Sequence, residues 1–273
     1  MSTKNSGYLT TSWDDGHPRD LRIAELLAKF SLSGTFYVPL ENSRRVMAPG
    51  EIRELSGGFE VGAHTVHHAV LTQLGASEAE TEIADSRKRL QEITGKSCDT
   101  FCFPRGRFQW THLDMVRRAG FRGARTVELL STRLPSRYMG IALLPTTVQI
   151  NTYSWTAYAR NCLKQLRAQN MLHFFRYARS RNWVETARPL LRRVAERGGV
   201  FHLWGHSWEI EEQQQWLQLE SFLREMGEWR KSLPCMTNSH LCSIAQTVQP
   251  NSLPLVDGSI SSSRSETGEP APR

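Results

Sequence analysis

Tyr8-Leu9-Thr10-Thr11-Ser12-Trp13-Asp14-Asp15-Gly16 is the stretch whose reading decides the fold. Tyr8–Trp13 reads as a strand, rich in aromatic and β-branched residues. It stops on two carboxylates and a glycine. An amphipathic helix follows at Pro18–Phe30, with Leu21, Ala24, Leu27 and Ala28 sharing a face. Working outward, the same strand-then-helix alternation repeats. Ser33–Pro39 reads as a strand, Pro49–Ser56 as a short helix, and Phe59–Ala63 as a strand leading into histidines. Ser77–Thr94 is a long charged helix, with Ser77 and Glu80 spaced as a capping box and Gly95 as its stop. Thr100–Phe103 and Phe121–Ala124 are strands around a helix at Gln109–Ala119. A strand is expected near Leu143–Ile150, helices around Ser154–Ala168 and Val184–Arg197, a strand at Val200–Gly205, and a last long helix at Glu211–Lys231. Six or seven such units imply an α/β fold with a parallel sheet. Closure into a TIM-like barrel is the favoured architecture, and an open doubly wound sheet is the alternative.

The size fits. A chain of 273 residues accommodates one barrel of roughly 250 residues. Residues 1–245 read as a single domain. From Gln246 to Arg273 twelve of 28 residues are Pro, Gly or Ser and none is aromatic, so this segment is expected to be a disordered tail. No apolar run approaches the roughly 18–20 residues of a membrane span. Met1 to Tyr8 holds one lysine and no apolar core of a signal peptide, so a cytoplasmic location is expected. The five cysteines (Cys98, Cys102, Cys162, Cys235 and Cys242) form no CxxC and read as reduced, structural thiols. Neither GxGxxG nor GxxxxGK[ST] occurs, so the two common nucleotide cradles lack support.

The net charge of +7 is local. Between Arg160 and Arg197 there are ten Lys/Arg against Glu185 and Glu196, a net of +8, so the remainder sums to 7 − 8 = −1. No zinc-finger, RNP or basic-zipper pattern accompanies it, and no nucleic-acid partner is expected. Arg160, Lys164 and Arg167 share one helix face, which is either solvated surface or a docking face for a phosphate-linked substrate.

In a parallel barrel the chemistry lies at the carboxyl ends of the strands. The polar residues there are Asp14 and Asp15, then His64 with His67 and His68, then Pro104-Arg105-Gly106-Arg107, and finally His206. Two adjacent carboxylates beside several histidines suggest a metal. One Asp oxygen and two His nitrogens leave positions open for water and substrate, as catalytic sites require. The second carboxylate can take a proton, and Gly16 permits the tight turn that aims both. By turn geometry alone either His67 or His68 can share a face with His64.

These segments carry a family resemblance. Thr11-Ser12-Trp13-Asp14-Asp15-Gly16 resembles the first motif of the polysaccharide deacetylases, the NodB-homology family of carbohydrate esterases. Gly34-Thr35-Phe36-Tyr37-Val38 resembles its second strand, and Glu60-Val61-Gly62-Ala63-His64-Thr65-Val66-His67-His68 its H-[ST]-x-x-H motif. Phe101-Cys102-Phe103-Pro104-Arg105-Gly106 is similar to the third motif, and Phe201-His202-Leu203-Trp204-Gly205-His206 to the last. The resemblance runs from about residue 8 to about residue 210. It implies a distorted (β/α) barrel and metal-dependent removal of an N-acyl group from an amino sugar. By position it makes Asp14 the general base, Asp15, His64 and His68 the metal ligands, and His206 the general acid, with His202 as a competitor. The implied metal is divalent: zinc by default, with cobalt or nickel as substitutes.

Two departures stand out. The family arginine that orients the base falls on Cys102, which leaves Arg105 or Arg107 to replace it. The acidic motif that braces the last histidine is not evident before Val200. Pro104, Arg105, Gly106, Trp204 and Trp208 are the expected substrate-binding residues, with core packing an equal reading for Trp204 and Trp208. The expected substrate is an N-acylated amino sugar, as an oligosaccharide or a nucleotide- or lipid-linked sugar. A hydrolase of non-sugar amides, or an inactive carbohydrate-binding relative, are the alternatives.

Overall fold

Nine helices and ten strands build the described part of the chain, which in this computed structural model comprises residues 6–151, 168–177 and 182–247. The expected helix Ser154–Ala168 and its basic face of Arg160, Lys164 and Arg167 fall almost wholly outside it, as does Cys162.

The strands are β1 (Gly7–Asp14), β2 (Thr35–Val38), β3 (Glu60–Ala63), β4 (Thr100–Cys102), β5 (Gly123–Arg125), β6 (Ser136–Tyr138), β7 (Ile141–Leu144), β8 (Val148–Gln149), β9 (Gly199–Gly205) and β10 (Gln246–Thr247). Their order is β10-β6-β7-β5-β4-β3-β2-β1-β9-β8. Every pairing is parallel except β6 with β7. β7 lies on β5 and β8 lies on β9, yet only Pro145-Thr146-Thr147 separates β7 from β8. One extended stretch therefore touches both ends of the sheet and closes it. The ring has seven staves, β1 to β5, β7/β8 and β9, as a distorted barrel rather than an open sheet. The distortion sits at Pro145, whose missing N–H interrupts the ladder. Thr146 N turns to the carbonyl of Glu128 (2.8 Å) and Thr147 N to that of His202 (3.0 Å).

The helices are α1 (Asp20–Lys29), α2 (Pro49–Gly58), α3 (Ala76–Thr94), α4 (Trp110–Arg118), α5 (Ala168–Tyr177), α6 (Trp183–Arg197), α7 (Ser207–Glu212), α8 (Trp216–Trp229) and α9 (Asn238–Ser243). α1 buries Asp20, Ile23, Ala24 and Leu27, whereas Ala28, at the edge of that stripe, is exposed. α3 starts one residue before the expected cap. Gly75 occupies the N-cap, and the Ser77 carbonyl accepts the Thr81 hydroxyl within the first turn. Glu80 pairs with Arg118 of α4 instead of folding back. Gly95 ends α3 at φ 67°.

Two further features differ from the sequence reading. The expected helix Glu211–Lys231 is two helices, α7 and α8, broken where Gln214 adopts φ 54°. Side chains hold the break: Gln213 Nε2 donates to Asn151 Oδ1 (3.0 Å), and Trp216 Nε1 donates to Glu211 Oε2 (2.5 Å). The hairpin of β6 and β7 was not visible in the sequence. Its turn residues Met139 and Gly140 both take positive φ, at 46° and 86°, and methionine is not a residue that signals such a turn.

The chain after α8 runs beneath the barrel and plugs its lower end. Asn238 is wholly buried there. Thr10 Oγ1 donates to its Oδ1 (3.0 Å), and its Nδ2 donates to the Tyr37 hydroxyl (2.9 Å). β10 then pairs with β6, so the fold extends through Thr247; residues 248–273 lie outside the described part. Replacing Asn238 strands two buried hydroxyls. Asn238→Ala is expected to lower stability by about 1–3 kcal/mol, read as a lower urea midpoint at unchanged slope.

Candidate metal centre and active site

Four strand ends converge on one site. β1 delivers Asp14 and Asp15, β3 delivers His64, β5 delivers Arg125 and β9 delivers His206. Backbone strain concentrates here. Asp15 (φ 77°), Thr65 (φ 63°), His68 (φ 52°) and Arg105 (φ 55°) all sit in the left-handed region. Each such residue costs on the order of 1–3 kcal/mol, so neighbouring bonds must hold it. At Gly16 (φ 59°) a Cβ would lie 2.7 Å from Val38 Cγ1, which requires glycine. In the histidine loop Glu82 of α3 accepts the N–H groups of Val66 (2.9 Å) and His67 (3.0 Å). Thr65 Oγ1 accepts from Ala69 N (3.0 Å).

This geometry sorts the histidines. His64 Nδ1 lies 2.7 Å from the Cys102 carbonyl. A carbonyl only accepts, so Nδ1 carries the proton and Nε2 keeps its lone pair. His64 Nε2 is 3.7 Å and His68 Nε2 3.2 Å from Asp15 Oδ1. Ligand atoms of Asp15, His64 and His68 lie within 4.8 Å of one another. Asp15 Oδ1 is buried and has no hydrogen-bond partner. A buried carboxylate oxygen without a partner, facing two imidazole nitrogens, fits a divalent cation. Burial, followed by His68, holds the His64 imidazole down to about 4, in the neutral form a metal needs. Burial pushes the Asp15 carboxyl up, but His206, His68 and His64 together outweigh it and hold it below the usual carboxylate range. His67 points elsewhere: its Nδ1 meets Glu82 Oε1 at 2.5 Å, and its side chain is 55% exposed.

Ligand atoms of Asp14, His64 and Cys102 also lie within 4.8 Å. That set suits a cation poorly. Burial pushes the Cys102 thiol up, well away from thiolate, and Asp14 Oδ2 already accepts from Arg125 Nη2.

Arg125 answers the missing arginine. Neither Arg105 nor Arg107 meets Asp14 Oδ2; the guanidinium comes from the neighbouring strand. Cys102 and Arg125 are register partners across β4 and β5. The charge has therefore moved one strand over while still reaching the same carboxylate. Arg125 is 1% exposed, with its guanidinium 4.4 Å from the Trp204 ring centroid and 5.5 Å from that of Tyr37. Burial works against its charge, but Asp14, Cys102 and Tyr37 together outweigh it, so it stays protonated. The sequence reading stopped the strand at Ala124 and missed it.

His206 also has a brace. Its Nδ1 lies 2.8 Å from Glu209 Oε2, three residues on. Gln149 Nε2 and Asn151 Nδ2 donate to Glu209 at 3.5 and 3.3 Å. His206 Nε2 is 4.0 Å from Asp15 Oδ2. Burial disfavours the imidazolium, but Glu209 and Asp15 outweigh it and push His206 up to about 10. His202 is different. Its ring nitrogens engage Ser12 Oγ (2.8 Å) and the Pro145 carbonyl (3.0 Å), and burial with Arg125 nearby pushes it down to about 3. It is a satisfied core histidine.

Of the expected substrate-binding residues, Arg105 is exposed while Pro104 and Gly106 are buried. Trp204 is 5% exposed beneath the Arg125 guanidinium, so it belongs to the core. Trp208 is half-buried, and its Nε1 donates to Asp15 Oδ2 (2.9 Å).

The comparisons with known proteins agree with this picture. The family model described as polysaccharide deacetylase matches residues 2–124. Over these residues, a little under half of the chain, the sequence is similar to the polysaccharide deacetylase family. The match spans the first three motifs, from Asp14 through Pro104. The fold likeness reaches further. A Mycobacterium smegmatis protein assigned as a polysaccharide deacetylase superposes with a TM-score of 0.64 at 14% identity, over 91% of this chain and 96% of that one. The chitin deacetylase of the fungal pathogen Colletotrichum lindemuthianum gives 0.57 at 13% identity, over 92% of each chain. A family 4 carbohydrate esterase from Streptomyces lividans gives 0.51 at 14% identity, over 93% and 98%. No curated protein matches the sequence.

Asp15→Ala and His64→Ala are each expected to abolish binding of a divalent metal, measured by elemental analysis after dialysis. His67→Ala is expected to retain it.

Proposed function

We propose that the protein is a metal-dependent deacetylase that hydrolyses the N-acetyl group of an amino sugar. The observation that carries this is the set Asp15, His64 and His68 around the unpartnered Asp15 Oδ1, flanked by Asp14 on one side and His206 on the other. Asp15, His64 and His68 would hold the cation, and two nitrogens with one oxygen suit zinc, with cobalt or nickel acceptable. When bound, it supplies Lewis acidity to the acyl carbonyl and to water.

The chain's own groups do the rest. Arg125 occupies Asp14 Oδ2, which leaves Oδ1 of Asp14 without a partner and able to take a proton from the attacking water. The water oxygen bonds to the acyl carbon as that proton leaves. His206, protonated and held through Nδ1 by Glu209, gives its Nε2 proton to the amide nitrogen. The C–N bond then breaks to acetate and a free amine. An amine leaves poorly unless it gains that proton, and each acid–base partner is worth roughly 10²–10⁴ in rate.

The substrate class rests on the family and on the fold shared with carbohydrate deacetylases. No described helix is long and apolar enough to cross a membrane. Cys98, Cys102, Cys235 and Cys242 are free thiols, which suits a reducing compartment such as the cytoplasm.

Incubation of the metal-loaded protein with N-acetylglucosamine oligomers is expected to release acetate and leave products 42 Da lighter by mass spectrometry. Asp14→Asn is expected to keep the metal and lose at least about 10²-fold in kcat. Activity confined to small linear or cyclic amides would overturn the sugar reading. Glu209 supports the proton on His206, so Glu209→Gln lowers the pH at which that proton is lost. The alkaline limb of the kcat/KM profile is then expected to move to lower pH.

A further inference from the structure

Trp208 was expected either to bind substrate or to pack in the core, but its surroundings give it another task. Its indole N–H is spent on Asp15 Oδ2 at 2.9 Å. The guanidinium carbon of Arg44 lies 3.7 Å from its ring centroid, covering one face. The His206 ring lies 5.4 Å away at 37°. Arg44 is itself tethered, its Nη1 donating to Glu212 Oε1 at 3.0 Å on the same short helix as Trp208.

The loop that carries Arg44 is fastened to both halves of the metal centre. Met47 N donates to the Gly16 carbonyl (2.8 Å), in the turn that presents Asp15. Leu40 N and Glu41 N both donate to the Val66 carbonyl (2.9 and 2.8 Å), in the loop that presents His64 and His68. Asp15 needs such support, because its backbone stands at φ 77°. Its carboxylate has two oxygens, and only Oδ1 faces the two imidazoles without a hydrogen bond.

We infer that Trp208, clamped by Arg44, is a positioning residue that ties down Asp15 Oδ2 and so leaves Oδ1 alone to serve the metal. This rests on the reading of Asp15, His64 and His68 as the metal site. The indole N–H is a charge-assisted donor to a carboxylate, among the stronger hydrogen bonds available. Arg44 keeps the ring from rotating away. A flat guanidinium stacks on an indole where a lysine ammonium cannot.

The test is a chelator-competition titration with zinc on the purified full-length protein, with circular dichroism as a folding control. Trp208→Phe keeps an aromatic ring for Arg44 and removes the N–H together with the second ring of the indole. It is expected to weaken zinc binding about 10–100-fold, with kcat recovering as zinc is raised to saturation. Arg44→Lys keeps the charge opposite Glu212 but loses the flat stack, and is expected to weaken zinc binding to a smaller degree. Being on the surface, it remains informative if Trp208→Phe fails to fold. Unchanged zinc affinity in both variants overturns the inference. So does a rise in substrate KM at unchanged zinc affinity, which would make Trp208 a substrate-stacking residue. Asp15→Ala separates this from failure of the site itself: full zinc binding there would overturn the metal reading, whereas loss of zinc there with none in Trp208→Phe overturns only the role of Trp208.

Discussion

The buried pair of Asp14 and Arg125 is the interaction around which the barrel interior is organised. A carboxylate taken out of water is tolerated only with a counter-charge, and removing one partner of such a pair typically costs about 3–5 kcal/mol. Arg125 is wedged against Trp204 and Tyr37, and the Tyr37 hydroxyl continues to Asn238 at the lower end of the barrel. A polar column thus runs from the plug to the site. Its lower end is hydrogen-bonded, whereas Arg125 Nε and Nη1 and Trp204 Nε1 in its middle have no hydrogen-bond partner. Asp14 Oδ1 and Asp15 Oδ1 are the unpartnered carboxylate oxygens at the top of β1.

Above this pair the chain accepts strain. Left-handed residues at Asp15, Thr65 and His68 aim side chains that a regular strand end would splay apart. The cost is offset locally, by Glu82 under the histidine loop, by Thr65 closing its own turn, and by Trp208 on Asp15. The metal-ligand candidates are therefore held by bonds from three different elements. That is the arrangement a site needs if a cation is to find its ligands already in place.

Much of this was legible beforehand. The alternation of apolar strands and amphipathic helices predicted a barrel of about seven parallel strands, and seven staves are present. The motif residues Asp14, Asp15, His64, His68 and His206 were placed at strand ends, and all five lie there together. The supports were not legible. Arg125 ends a run of only three strand residues, so nothing in its neighbours marked it as buried. Glu209 is one of three glutamates, with Glu211 and Glu212, within six residues of His206, and spacing does not single it out. Trp204 and Trp208 sit four residues apart with the same chemistry, yet one is core and the other reaches Asp15.

Local pattern determined what depends on neighbours in the chain: the period of most elements, the turn at Gly16, the stop at Gly95, and the motif residues that follow β1, β3 and β9. Tertiary structure decided what depends on register between strands and on crossings far apart in sequence. Cys102 meets Arg125 because β4 and β5 pair in one register, and a shift of one residue would turn Arg125 away from Asp14. Arg44 meets Trp208 across 164 residues only because the loop after β2 and the helix α7 share the barrel mouth. Sequence spacing carries no record of such distances, since the side chains that touch belong to elements whose separation is fixed by closure of the ring.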